Sequence, residues 1–141
     1  MGKEHAVIQF TLIVVPPDWQ IDLPVPFNKA THDVWRDRLE SGTRIIFYHP
    51  EQQAIVGEGE VNGFFIRPAE WPASSSADLP ASVSSADYAL PVRVLFQRAA
   101  ESLIPLSEVR RVLNDDTFPI KIGEIREQDS AAYDELRRDW P

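Results

Sequence analysis

Apolar residues occupy every second position from Ala6 to Val14: Ala6, Ile8, Phe10, Leu12 and Val14, with Gln9 and Thr11 among the residues between them. A period of two marks an extended strand with one face set against a core, which commits the chain to a sheet. Pro16 and Pro17 stop the strand, because proline brings no N–H to a ladder. Asp18 to Asn28, with Pro24 and Pro26, then reads as an extended loop.

The same signature recurs further on. Thr43 to Tyr48 and Ala54 to Phe65 are rich in β-formers and flank a Pro50-containing turn, which predicts a hairpin. Tyr88, Leu90, Val92, Val94 and Phe96 form another apolar face, with Arg93 and Gln97 turned away from it and Pro91 marking an edge or a strand start. Phe118 to Arg126 reads as a last strand, bent or bulged at Gly123.

Helical spacing fills the gaps between these strands. Thr31 is a candidate N-cap, Trp35 and Leu39 share a face and Gly42 suits the C-terminal cap, so a helix is expected over Thr31 to Ser41. Val109, Val112 and Leu113 share a face after Ser107, up to Asn114. Asp129 or Ser130 caps a final helix carrying Tyr133, Leu136 and Trp140. The order is an α+β, mainly β, pattern: a strongly bent, largely antiparallel sheet of five strands closing towards a barrel, without parallel βαβ units.

A chain of 141 residues fits one domain, and residues 72–87, rich in Ser and Ala, are expected to form a mobile loop within it. The absence of cysteine removes disulfides and thiolate metal sites and fits a reducing, bacterial-type cytoplasm. Ala6 to Val15 is too short to cross a bilayer and lacks a cleavage site, so neither a membrane role nor a targeting signal is expected. The net charge of −8 is spread evenly along the chain. That balance argues against a strong non-specific nucleic-acid binder but leaves room for a local positive patch.

No catalytic motif stands out. His5, His32 and His49 are scattered without ligand-pair spacing, so neither a metal nor a cofactor is expected. Glu58 and Glu60 share one side of a strand, as an acid/base pair would, although negative charge opposite a basic neighbour such as Arg44 explains them as well. Their flanking glycines lack the lysine-serine ending of a phosphate loop, and no serine lies in a GxSxG elbow. The tryptophans are the better lead, since an indole ring both fills cores and stacks on bases. Trp35 and Trp140 read as packing residues, whereas Trp19 and Trp71 lie in loops where contact with a ligand is open to them.

Phe10-Thr11-Leu12-Ile13-Val14-Val15-Pro16-Pro17-Asp18, Gly42-Thr43-Arg44-Ile45-Ile46-Phe47-Tyr48-His49 and Ile55-Val56-Gly57-Glu58-Gly59-Glu60-Val61 together resemble the EVE domain of the PUA-like superfamily, related to YTH and ASCH-type domains. Pro91 to Phe96, Pro105 to Val109 and the final helix are similar to its closing half. The resemblance implies one domain with a bent sheet or pseudo-barrel of five to six strands and about three short peripheral helices. It also implies a concave pocket between the first-strand turn, the first helix and the Phe-Tyr-His strand. In that architecture Trp19 and Trp35 are expected as pocket walls, with Phe47, Tyr48 and His49 nearby at the floor or rim. Asp18 or His49 would read a base edge, and Asn28, Lys29, Arg44 or Arg93 would meet phosphate. The expected function is a non-enzymatic reader of DNA or RNA that accommodates a methylated or hydroxymethylated base. Alternatives are a small-molecule or protein-interaction module on the same barrel, which the negative charge favours, and a nucleotide hydrolase resting on Glu58 and Glu60.

Overall fold

The computed structural model describes residues 9–21, 23–70 and 79–137; His5, Trp71, Trp140 and residues 72–78 of the expected loop lie outside them. Phe10–Val14 forms β1, Val25–Phe27 β2, Arg44–His49 β3 and Ala54–Val61 β4. Tyr88–Leu90 is β5, Val92–Gln97 β6, Ile104–Pro105 β7 and Ile125–Gln128 β8. Helices α1 to α4 span Lys29–Trp35, Ala81–Ser84, Leu106–Leu113 and Ser130–Glu135.

The main sheet runs β6-β4-β3-β1-β8, with β7 on β4, while β2 and β5 pair apart from it. This is the expected α+β architecture, mainly sheet. One pairing departs from expectation: β1 lies parallel to β3, from Phe10 opposite Arg44 to Val14 opposite Tyr48, and α1 lies on the crossover between them. All other strand pairs are antiparallel, including β1 with β8, where Phe10 faces Gln128.

Central position changes the reading of β1. Leu12 and Val14 enter one core with Ile46, Tyr48, Val109, Phe118 and Leu136, while Ile13 and Val15 enter a second with Trp19, Ile45, Phe47 and Leu90. Both faces of the strand are therefore buried, and its alternation divides two apolar layers instead of separating core from water. Gly57 and Gly59 in β4 make room for the second layer. A Cβ at Gly59 would lie 2.8 Å from the Arg93 carbonyl oxygen and 3.0 Å from the Phe47 ring, and one at Gly57 would meet Ile21 and the Phe96 carbonyl.

Several boundaries move for local reasons. Helix α1 starts earlier than expected because Asn28 is the cap: its Oδ1 accepts the Thr31 N–H at 2.7 Å. Pro91 breaks the expected Tyr88 to Phe96 strand into β5 and β6, which join different sheets. Residues 118–124 are irregular, although Gly123 and Glu124 still exchange backbone hydrogen bonds with Val14 at 2.8 and 2.9 Å. Asn114, at φ 55°, ends α3 in the left-handed conformation, and Asp129 caps α4 through the Ala132 N–H at 2.8 Å. The latter part of the expected mobile loop forms α2, whose Val83 is fully buried.

Candidate functional site

The turn leaving β1 organises the candidate residues. Val15 remains tied to β3 through its N–H and the Tyr48 carbonyl, and the Trp19 N–H closes the turn on the Pro16 carbonyl at 3.0 Å. Trp19 swings inward: it is 2% exposed, its indole N–H donates to the Pro24 carbonyl at 3.0 Å, and its ring packs on Phe47 with centroids 4.8 Å apart. Asp18 points outward and accepts hydrogen bonds from the backbone N–H and hydroxyl of Ser82 in α2.

Two clefts open on either side of this turn and share no lining residue. The smaller, about 420 Å³, lies between Pro16 and Pro17, the start of α1 at Asn28 and Thr31, α2, and the loop Lys121–Gly123. Its apolar wall is made by Pro16, Pro17, Pro26, Phe27 and Ile122; Ser82, Ser85, Asn28 and Lys121 supply polar groups, and Asp87 a carboxylate. The Asn28 carbonyl oxygen is engaged as the helix cap, which leaves its amide hydrogens for a ligand.

The larger cleft, about 670 Å³, lies between the Trp19–Ile21 segment, His49 at the end of β3, Gln52 in the hairpin turn and the β4/β6 edge. Ile21, Val56, Val94 and Leu103 line it, with Gln97 and Arg98 from the end of β6. His49 is 8% exposed, and its Nδ1 is buried without a hydrogen-bond partner.

The residues expected to form one aromatic mouth are thus dispersed. Trp19 and His49 reach the larger cleft and Asn28 the smaller. Phe47 and Tyr48 line neither: as neighbours on a strand they point to opposite faces, Phe47 into the core with Trp19 and Tyr48 into the other, edge-on to Phe118 at 5.0 Å. Trp35 packs on the Trp19 side of the core and carries the Arg38 guanidinium 4.9 Å above its ring. His32 stacks on Tyr88 with centroids 3.6 Å apart.

The cations expected to meet phosphate are engaged by carboxylates. Lys29 donates from Nζ to Asp33 and from its backbone N–H to Asp87, each at 2.8 Å. Arg44 lies 3.5 Å from Glu58 and 3.6 Å from Glu60, and Arg93 also pairs with Glu60. Glu58 is only 1% exposed and accepts from Arg137 Nε at 3.2 Å. Burial pushes its carboxyl above the ordinary value, against the opposing pull of Arg137 and Arg44. The pair therefore belongs to a charge network that joins β3, β4 and β6 and takes in Arg137, and it lines neither cleft.

Sequence reasoning passed over Arg98, Gln20, Gln52 and Gln97, and likewise Pro26, Phe27, Lys121 and Ile122. Nothing local distinguishes a single arginine after a strand; only the packing of residues 100–103 beside it gives it a cleft to line. Ile122, 54% exposed, and Ile120, 69% exposed, were the available signal, being apolar residues in an irregular segment. Among the described residues, no group of three or more His, Asp or Glu side chains gathers as metal ligands would. No described helix is long and apolar enough to cross a membrane.

The bent mixed sheet with short peripheral helices is a PUA-like fold. An uncharacterised protein from Leishmania major shares it at 14% identity, with a TM-score of 0.61 and 96% of each chain covered. An ASCH protein from Zymomonas mobilis superposes with a TM-score of 0.55 at 10% identity, covering 94% of this chain and 97% of its own. Human THYN1, in complex with DNA containing 5-methylcytosine, superposes with a TM-score of 0.55 at 14% identity, covering 94% of this chain and 98% of its own. At these identities the likeness is one of fold. No family model matches the chain, and no curated protein sequence matches it.

Proposed function

We propose that the chain is a non-enzymatic nucleic-acid-binding module, of the EVE or a neighbouring PUA-like type, that receives one unstacked base in the smaller cleft. The observation that carries this reading is the composition of that cleft. Rigid proline and aromatic surface from Pro16, Pro17, Pro26 and Phe27 faces a set of amide and hydroxyl groups, the combination that holds a flat ring and reads its edge. A base methyl group would rest against the prolines and Ile122, while the Asn28 amide would donate to a ring nitrogen or carbonyl. This is a proline-walled pocket, so the recognition differs from an aromatic cage. Lys121 at its rim is the cation placed to meet a flanking phosphate. The fold shared with human THYN1, a protein seen bound to methylcytosine DNA, supports the same reading.

A small-molecule module is the second reading, favoured by the engagement of Arg44, Arg93 and Lys29 with carboxylates, which leaves little positive surface for a long phosphate backbone. One screen separates the two. DNA and RNA oligonucleotides bearing plain, methylated and hydroxymethylated bases are titrated at low and moderate salt, and binding is followed by fluorescence anisotropy. The reader binds a modified strand more tightly than its plain counterpart and loses that binding in Asn28→Ala. Failure of every oligonucleotide to bind at low salt overturns nucleic-acid binding.

A further inference from the structure

We infer that the larger cleft is a second, separate binding site for a small organic anion of the nucleoside monophosphate class, with Arg98 meeting the phosphate and Gln52, Gln97 and His49 reading the base and sugar.

The wall composition points to an anion. In a chain of net charge −8, no carboxylate among the described residues lines this cleft, and the ionisable side chains among those that do are His49 and Arg98. Arg98 is 5% exposed and held from both ends: its backbone N–H donates to the Val56 carbonyl at 2.9 Å and its Nη1 to the Ser102 carbonyl at 2.5 Å. Arg98 also lines a neighbouring groove that carries Glu101, Glu108 and Glu135. A guanidinium fixed in this way is a planar fork matched to phosphate oxygens, with little rotamer freedom left to lose on binding.

The remaining groups suit a heterocycle. Leaving a buried polar atom without a partner is unfavourable, and such atoms in native structures call for an explanation. His49 Nδ1 is such an atom in the wall of a cleft large enough for a nucleotide. Gln20, Gln52 and Gln97 are exposed around the same cleft, and each amide both donates and accepts, as the edges of bases and sugar hydroxyls require. Trp19, Ile21, Val56 and Val94 provide apolar surface for a ring.

The site is tested on the full chain by nuclear magnetic resonance. The four common nucleoside monophosphates, the corresponding nucleosides and inorganic phosphate are titrated separately to millimolar concentration. At least one monophosphate is expected to shift the Gln52 and Gln97 side-chain amides and the His49 imidazole saturably, and to bind more tightly than its nucleoside or phosphate alone. Arg98→Lys keeps the charge but loses the fork, and weakens that binding by about tenfold or more. Should this variant fold poorly, Gln52→Ala and Gln97→Ala, at exposed positions, carry the same test with an intact melting profile. The inference is overturned if no monophosphate moves these resonances, if phosphate alone binds equally well, or if the shifts fall only on Asn28 and Lys121. Asn28→Ala should leave binding here unchanged, which keeps the outcome independent of the oligonucleotide screen.

Discussion

The Asp18 carboxylate accepts the backbone N–H of Ser82 at 3.2 Å, joining the turn after the first strand to a helix 64 residues further along the chain. The Ser82 hydroxyl donates to the same carboxylate. This contact holds α2 against the first-strand turn and so shapes one wall of the smaller cleft. Asp18→Ala is expected to cost about 0.5–1.5 kcal/mol, the net worth of an ordinary hydrogen bond. Amide hydrogen exchange at Ser84 and Ser85 should accelerate more than exchange in β3; uniform acceleration would show that the contact does not hold α2 locally.

Gly59→Ala should destabilise the protein by about 1–3 kcal/mol, as overpacking does in a filled core. The added Cβ meets the Arg93 carbonyl, which is sheet backbone, and the Phe47 ring, which Trp19 already backs. Urea denaturation checks it, and an unchanged midpoint would mean that β4 and β6 can separate at little cost.

Trp19→Ala is expected to cost about 3–5 kcal/mol, because the indole is a core residue despite its loop position. Trp19→Phe keeps most of the volume but leaves the Pro24 carbonyl without its donor, at about 1–3 kcal/mol. Thermal melts of both variants distinguish this from a free stacking wall, whose loss would leave the melting temperature nearly unchanged.

Glu58 should make stability depend on pH with a definite sign. Burial raises its native carboxyl above the unfolded value, so the native state holds the proton more tightly. Its contribution is then fully present below the unfolded value and is lost as pH rises through the higher native value. Stability measured against Glu58→Gln should therefore fall over that window; a difference that rises with pH would mean that Arg44 and Arg137 outweigh desolvation.

Lys121→Glu should weaken oligonucleotide binding and reduce the slope of log affinity against log salt by about one, the loss of a single phosphate contact. Arg93→Gln should change that slope little, since Glu60 already pairs with Arg93. Equal effects of the two substitutions would move the interface to the β4/β6 edge.

Much of the architecture was legible because local periodicity and capping chemistry were enough for it. The hairpin arm expected over Ala54 to Phe65, which forms as far as Val61, the face of α3 ending at Asn114, and a cap at Asp129 or Ser130, which Asp129 supplies, follow from residues a few positions apart. Pairing partners do not: the alternation of Phe10, Leu12 and Val14 says that the segment is extended, but not that β3 lies parallel beside it. The expected site failed in an instructive way. Strand geometry alone sends Phe47 and Tyr48 to opposite faces, so the sequence itself excludes a cage containing both. Trp19 was harder to place, since its burial depends on the Pro24 carbonyl and on the ring of Phe47 from a strand distant in sequence. Arg98 gave no signal at all, because its surroundings come from segments distant in sequence.

The first strand is flanked on one side by β3 and on the other by β8, with Phe10 opposite Gln128. During synthesis from N- to C-terminus, β1 can acquire β3 first, but its second edge stays unpaired until β8 has left the ribosome. Over that interval the nascent chain carries an open strand edge, whose unpaired backbone groups attract foreign strands. The prolines at 16 and 17 cap that edge from the outset and limit how far any wrong partner can extend along it.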